Sequence, residues 1–198
     1  MNSPTLRSTA LMIGLALPGL ALAHTGTDLG SHHAMGFMDG LTHPLTGLDH
    51  LAAMLAVGLW SALTARRLWL APLAFAAMLL VGALMGLAGV TLPAVEPMIA
   101  TSLLVLGLLV ALRKSLPAQA AAALVGGFAV FHGLAHGAEL AGSEAIWLPL
   151  AGMLQATVAL HVCGLLLGLT LRAQSPWWPR AAGVMVTLLG SVLLLKMI

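Results

Sequence analysis

The chain has 198 residues, 60% of them hydrophobic, with eight Lys+Arg and six Asp+Glu, so that only 7% are charged. A soluble domain carries about 25% charged residues; with a mean hydropathy of +1.03, this chain cannot cover a water-facing surface, which excludes a soluble enzyme and a disordered chain. Its net charge of +2 comes without a basic cluster, excluding a nucleic-acid binder, and its single cysteine, Cys163, excludes an internal disulfide or a Cys-rich zinc site.

The class that remains is an all-α integral membrane protein. Residues 1–23 read as a cleavable signal peptide: Arg7 is a lone positive n-region, 9–20 an apolar stretch too short to span, and Ala21-Leu22-Ala23 the small-residue cleavage site. Cleavage leaves a new N-terminal His24 outside the cytoplasm. Residues 24–44 then form an extracytoplasmic segment containing His24, His32 and His33, where the α-amine and imidazole of His24 offer two ligands to one metal.

A spanning helix needs about 20 apolar residues. Apolar runs at 45–64, 68–90, 97–112, 117–140, 146–171 and 178–197 predict a six-helix transmembrane bundle over 45–198 with short connections. Pro72, Pro97 and Pro117 fall in or near first turns, where a missing N–H costs little. Trp69, Trp147, Trp177 and Trp178 fall near helix ends, as an interfacial belt requires. Loop charge tests this count independently. The first, third and fifth loops carry Arg66 and Arg67, Arg113 and Lys114, and Arg172 and Arg180, whereas the second and fourth carry only Glu96 and Glu144. Basic loops face the cytoplasm, so odd loops are inside, in agreement with an external N-terminus. A multi-pass inner-membrane protein is expected.

Gly-x-x-x-Gly recurs at Gly82/Gly86, Gly133/Gly137 and Gly164/Gly168, a pattern that lets helix backbones approach in lipid and carries no chemistry of its own.

Ionisable residues inside a membrane are expensive and point to function. The first span contains His43-Pro44-Leu45-Thr46-Gly47-Leu48-Asp49-His50. On one continuous helix, positions 43, 47, 50, 54 and 58 form a stripe, with Pro44 in the first turn and His43 and His50 on one face. Asp49 is placed either to ligate a metal or to accept the hydrogen bond that fixes a histidine tautomer. The fourth span contains Phe131-His132-Gly133-Leu134-Ala135-His136-Gly137-Ala138-Glu139, which sets His132, His136 and Glu139 on one narrow face. Two imidazoles and a carboxylate suit Ni, Co, Zn or Fe. With alternating topology both motifs lie in the outer third of the bilayer, as a shared site demands.

His161, in the fifth span, lies about 15 residues, or ~22 Å along the axis, towards the cytoplasm from the external start of that helix near Ile146, with Met153 and Thr157 on its face; it reads as an inner ligand or as a packing residue. Cys163 is expected to be a buried, inert thiol. No phosphate-binding loop is present to supply ATP hydrolysis.

The segment 43–50, running on through Met54, Gly58 and Trp60, resembles the first-helix signature of the HupE/UreJ proteins, and 131–139 resembles their second. The resemblance covers nearly the whole chain. It implies a nickel, sometimes cobalt, permease associated with hydrogenase and urease gene clusters, with metal roles for His43, Asp49, His50, His132, His136 and Glu139. A looser likeness to the larger nickel–cobalt transporter family stops at the spacing, since five residues rather than four separate His43 from Asp49-His50. The expected function is therefore a secondary permease that imports a divalent metal and has no prosthetic group. A metal-dependent intramembrane hydrolase and a non-transporting metal sensor or buffer are the alternatives.

Overall fold

The computed structural model describes residues 35–143 and 145–197. The expected signal peptide and the tail histidines His24, His32 and His33 lie outside the described residues. Seven helices run through the rest: α1 Phe37–Thr46, α2 Leu48–Thr64, α3 Leu70–Leu87, α4 Val95–Ala111, α5 Ala118–Leu140, α6 Trp147–Arg172 and α7 Trp177–Leu195. There is no strand among the described residues.

α3, α5, α6 and α7 are each long and apolar enough to cross a membrane, α4 is shorter at 17 residues, and α1 and α2 qualify only as a pair. That pair corrects the sequence expectation. In place of one straight helix from residue 45, the chain turns by 83° between α1 and α2. Gly47 sits at the turn with extended backbone (φ −85°, ψ 111°), ending one helix and starting the next. Pro44 lies inside α1, near its end rather than in a first turn; without an N–H it cannot donate to the carbonyl one turn back. The Thr46 hydroxyl donates to the His43 carbonyl (2.8 Å), and the Gly47 carbonyl accepts from Leu51 N–H (2.9 Å) to open α2. The boundary expected between residues 44 and 45 therefore falls within α1, a helix packed on α6.

α2 is the central element, buried almost continuously from Ala53 to Leu63 and packed on α6, α4 and α3. α3 pairs with α5, and α4 with α7. Small residues set these approaches. A Cβ on Gly82 would strike the Val130 carbonyl oxygen, and one on Gly133 would strike that of Leu79, so α3 and α5 touch backbone to backbone. Gly58 and Gly164 do the same between α2 and α6. All three Gly-x-x-x-Gly pairs of the sequence thus face a neighbouring helix.

The exposed tryptophans stand at helix starts: Trp69 caps α3, Trp147 opens α6, and Trp177 and Trp178 open α7. Cys163, expected to be buried, is exposed on α6. Exposed Leu166 and Leu167 follow it on the same helix.

Candidate metal centre

α1 ends, α2 begins and α5 ends at one level of the bundle, and this brings both polar motifs together. The last turn of α1 carries His43 and the first turn of α2 carries Asp49 and His50. The C-terminal part of α5 carries His132, His136 and Glu139. The His50 ring lies 4.4 Å from that of His136 and 4.8 Å from that of His132, centroid to centroid, and His43 lies 5.1 Å from His136. His43 Nε2 is 2.9 Å from Glu139 Oε2, and His136 Nδ1 is 3.6 Å from the same oxygen. One ligand atom each from His43, His136 and Glu139 can be chosen within 4.8 Å of one another.

His43 and His50 reach His136 from two different helices, not along one stripe. The 83° turn at Gly47 is what lets both point at the same partner. Gly133 and Gly137 face the Leu79 and Ala83 backbone of α3, so they draw α3 against the back of the site.

The cluster is graded in exposure. The side chains of His43 and Glu139 are 37% and 51% exposed, that of His50 is 13%, and His132 and His136 are fully buried. Asp49 does not point at the other histidines' nitrogens as a free carboxylate. Its Oδ1 accepts from the His50 backbone N–H (2.8 Å) and lies 3.0 Å from His50 Nδ1. With the ring proton on Nδ1, the lone pair of His50 is on Nε2.

That atom is buried without a hydrogen-bond partner, as are His132 Nδ1 and both ring nitrogens of His136. A buried polar atom left unpaired costs about 1–3 kcal/mol, and such atoms in a native protein call for an explanation such as an ion. His43, His136 and Glu139 can each turn one ligand atom to a common ion, and the rings of His50 and His132 beside them keep an unpartnered nitrogen each; imidazole with carboxylate is the donor set of a late first-row divalent cation. The residues fit that cargo.

His161 stands apart. It is buried on α6, with an unpartnered Nε2, and meets the Phe75 ring of α3 edge-on at 5.1 Å; Phe75 in turn lies 5.5 Å from the His132 ring. Sequence reasoning passed over Phe75, since a lone apolar residue on an apolar helix carries no signal. It also passed over Ser102 of α4, whose Oγ lies 3.0 Å from His132 Nε2. A cavity of about 750 Å³ lies at the opposite end of α2, among Trp60, Arg66, Arg67 and Gln119. It holds no imidazole or carboxylate, so it is not the metal centre.

An all-helical membrane protein with an imidazole–carboxylate cluster between its helices is the class that fold and site define. The HupE / UreJ protein family model matches residues 11–193. Protein HupE of Rhizobium leguminosarum bv. viciae is 43% identical over 188 residues, which cover 94% of this chain and 96% of that protein. The chain belongs to the HupE/UreJ family. That membership places it among hydrogenase and urease accessory transport proteins and not among enzymes. No solved structure matches it.

Proposed function

We propose that the chain is a secondary permease that carries nickel, with cobalt as the alternative cargo, from the exterior or periplasm across the inner membrane to the cytoplasm. The observation that carries this reading is the set of buried, unpartnered nitrogens on His50, His132 and His136 beside Glu139. Neutral imidazole and carboxylate suit these metals, and family membership supports the same cargo.

In this reading the chain crosses the bilayer six times, with the α1–α2 pair as a broken first crossing. Arg66, Arg67, Arg113 and Lys114 lie on the cytoplasmic side, and the metal centre lies towards the exterior. After signal-peptide cleavage, His24, His32 and His33 capture the ion in the external tail. The ion enters at the exposed His43–Glu139 pair, where the proton between them is released to external water as the ion takes its place, and it exchanges water for the nitrogens of His50, His136 and His132. Asp49 holds His50 in its metal-accepting tautomer. His161 receives the ion further in, past Phe75. Sites graded from exposed to buried are open enough to admit the ion, and no one of them need hold it too tightly to leave.

Radionickel uptake by cells carrying wild type, His50→Ala or His136→Ala, at matched membrane expression, tests this. Loss of uptake in both variants is expected; undiminished uptake in both defeats the assignment.

A further inference from the structure

Ser102 lies at the midpoint of α4, a helix that contributes neither polar motif, and it is completely buried. Its hydroxyl has one hydrogen to give and lone pairs with which to accept. The hydrogen goes to the Ile99 carbonyl at 2.6 Å, one turn back on the same helix. The 3.0 Å contact with His132 Nε2 is the longer of the two. With its proton already donated, Ser102 Oγ can only accept, so the contact is an Nε2–H donating to Oγ. The other tautomer would set two lone pairs against each other at Nε2. It would also place an N–H on Nδ1, which is buried without an acceptor.

We infer that Ser102 is a positioning residue of the metal centre, one that accepts the Nε2–H of His132 and thereby turns the Nδ1 lone pair into the cluster. The arrangement mirrors Asp49 on His50, where the proton is held on Nδ1 and the lone pair presented on Nε2. The two rings, nearly perpendicular at 88°, are thus each held through one nitrogen, one by a carboxylate and one by a hydroxyl, and each leaves the other nitrogen unpartnered. Ser102 acts through His132, whose Nε2 it contacts, and is not assigned as a ligand. Partners of this kind fix the tautomer and ring orientation of a metal-binding histidine, and their loss typically lowers metal affinity by about 10–100-fold.

The inference rests on the metal-site reading above, and its test separates the two. Nitrogen chemical shifts of histidine-labelled, metal-free protein in detergent report which ring nitrogen of His132 carries the proton, whether or not the protein binds nickel. Calorimetric titration with nickel then gives the affinity. Wild type is expected to hold His132 in the Nε2–H form. Ser102→Ala is expected to mix the tautomers at His132, leave that of His50 unchanged, and weaken nickel binding by about 10–100-fold. Ser102→Thr, which keeps the hydroxyl, is expected to restore both. A wild-type His132 protonated at Nδ1 overturns the inference without any variant being made. So does a folded Ser102→Ala protein with unchanged tautomer and affinity. A wild type in the Nε2–H form that binds no nickel sinks the metal-site reading, and the positioning role with it, while leaving the hydrogen bond in place.

Discussion

The rings of His50 and His136 face each other at 4.4 Å, tilted by 43°, yet their surroundings differ in kind. His50 is tethered through Nδ1 to Asp49, whereas His136 is buried with neither ring nitrogen in a hydrogen bond. His136 is therefore the residue that the metal-free fold bears at the greatest cost. Replacing it with an apolar group of similar volume removes two orphaned polar atoms, each a burden of about 1–3 kcal/mol. We expect His136→Leu to abolish radionickel uptake and, in the same purified metal-free protein, to keep or raise the thermal unfolding midpoint. A fall in both uptake and midpoint would mean that His136 serves the packing of α5 and not the ion.

Asp49 offers a sharper distinction between ligand and orienting partner. Its Oδ1 takes two hydrogen bonds from His50, one from the backbone and one from the ring. Asparagine can keep both through its own carbonyl oxygen, but it is a poor substitute for a carboxylate bound to a metal. We expect Asp49→Asn to retain most nickel affinity and Asp49→Ala to lose about 10–100-fold of it, measured by titration. Equal losses in the two variants would make Asp49 a direct ligand.

Much of the site was legible in the residues, for a physical reason: an imidazole or carboxylate in a hydrophobic span is costly enough to stand out against Leu and Ala. His132, His136 and Glu139 share a face simply because α5 is a regular helix across all three. The straight stripe expected from His43 to Gly58 fails at Gly47. A glycine inside an apolar run reads equally as a packing residue or a break, and only the packing of α1 on α6 through Gly40 and Gly152 selects the break. Ser102 and Phe75 escaped notice for a different reason. Serine and phenylalanine are ordinary in membrane helices, and their significance lies in contacts with His132 from helices remote in sequence. The short helix α4 has no polar motif of its own, so its contact with His132 follows from tertiary packing alone.

The back of the site depends on how closely α3 approaches α5, and glycine substitutions measure it. A methyl group at Gly133 would collide with the Leu79 carbonyl oxygen, backbone that cannot move aside unless the helices part. Gly127, on the same helix, has open space around its Cβ direction. We expect Gly133→Ala to destabilise the protein by about 1–3 kcal/mol through overpacking. Gly127→Ala should be neutral or stabilising by up to about 1 kcal/mol from helix propensity. Thermal unfolding in detergent checks the pair; a Gly133→Ala protein as stable as wild type would show that α3 and α5 do not pack backbone to backbone.

Proton competition supplies the last test, and its sign follows from which atoms bind the ion. A metal takes the imidazole lone pair, and a proton takes the same lone pair, so binding requires neutral histidines. Histidine in water protonates near pH 6.5, and in the proposed site several of these side chains share one ion, with His43 and Glu139 the exposed members of the cluster. As external pH falls through the histidine range, nickel affinity is therefore expected to fall, and more steeply than a single protonation would allow. Initial rates of radionickel uptake at subsaturating nickel, taken from about pH 8 down to about pH 5, should drop accordingly, while rates at saturating nickel should drop less. An apparent affinity that improves on acidification would contradict binding through neutral imidazoles and shift the weight of the site to the carboxylates of Asp49 and Glu139.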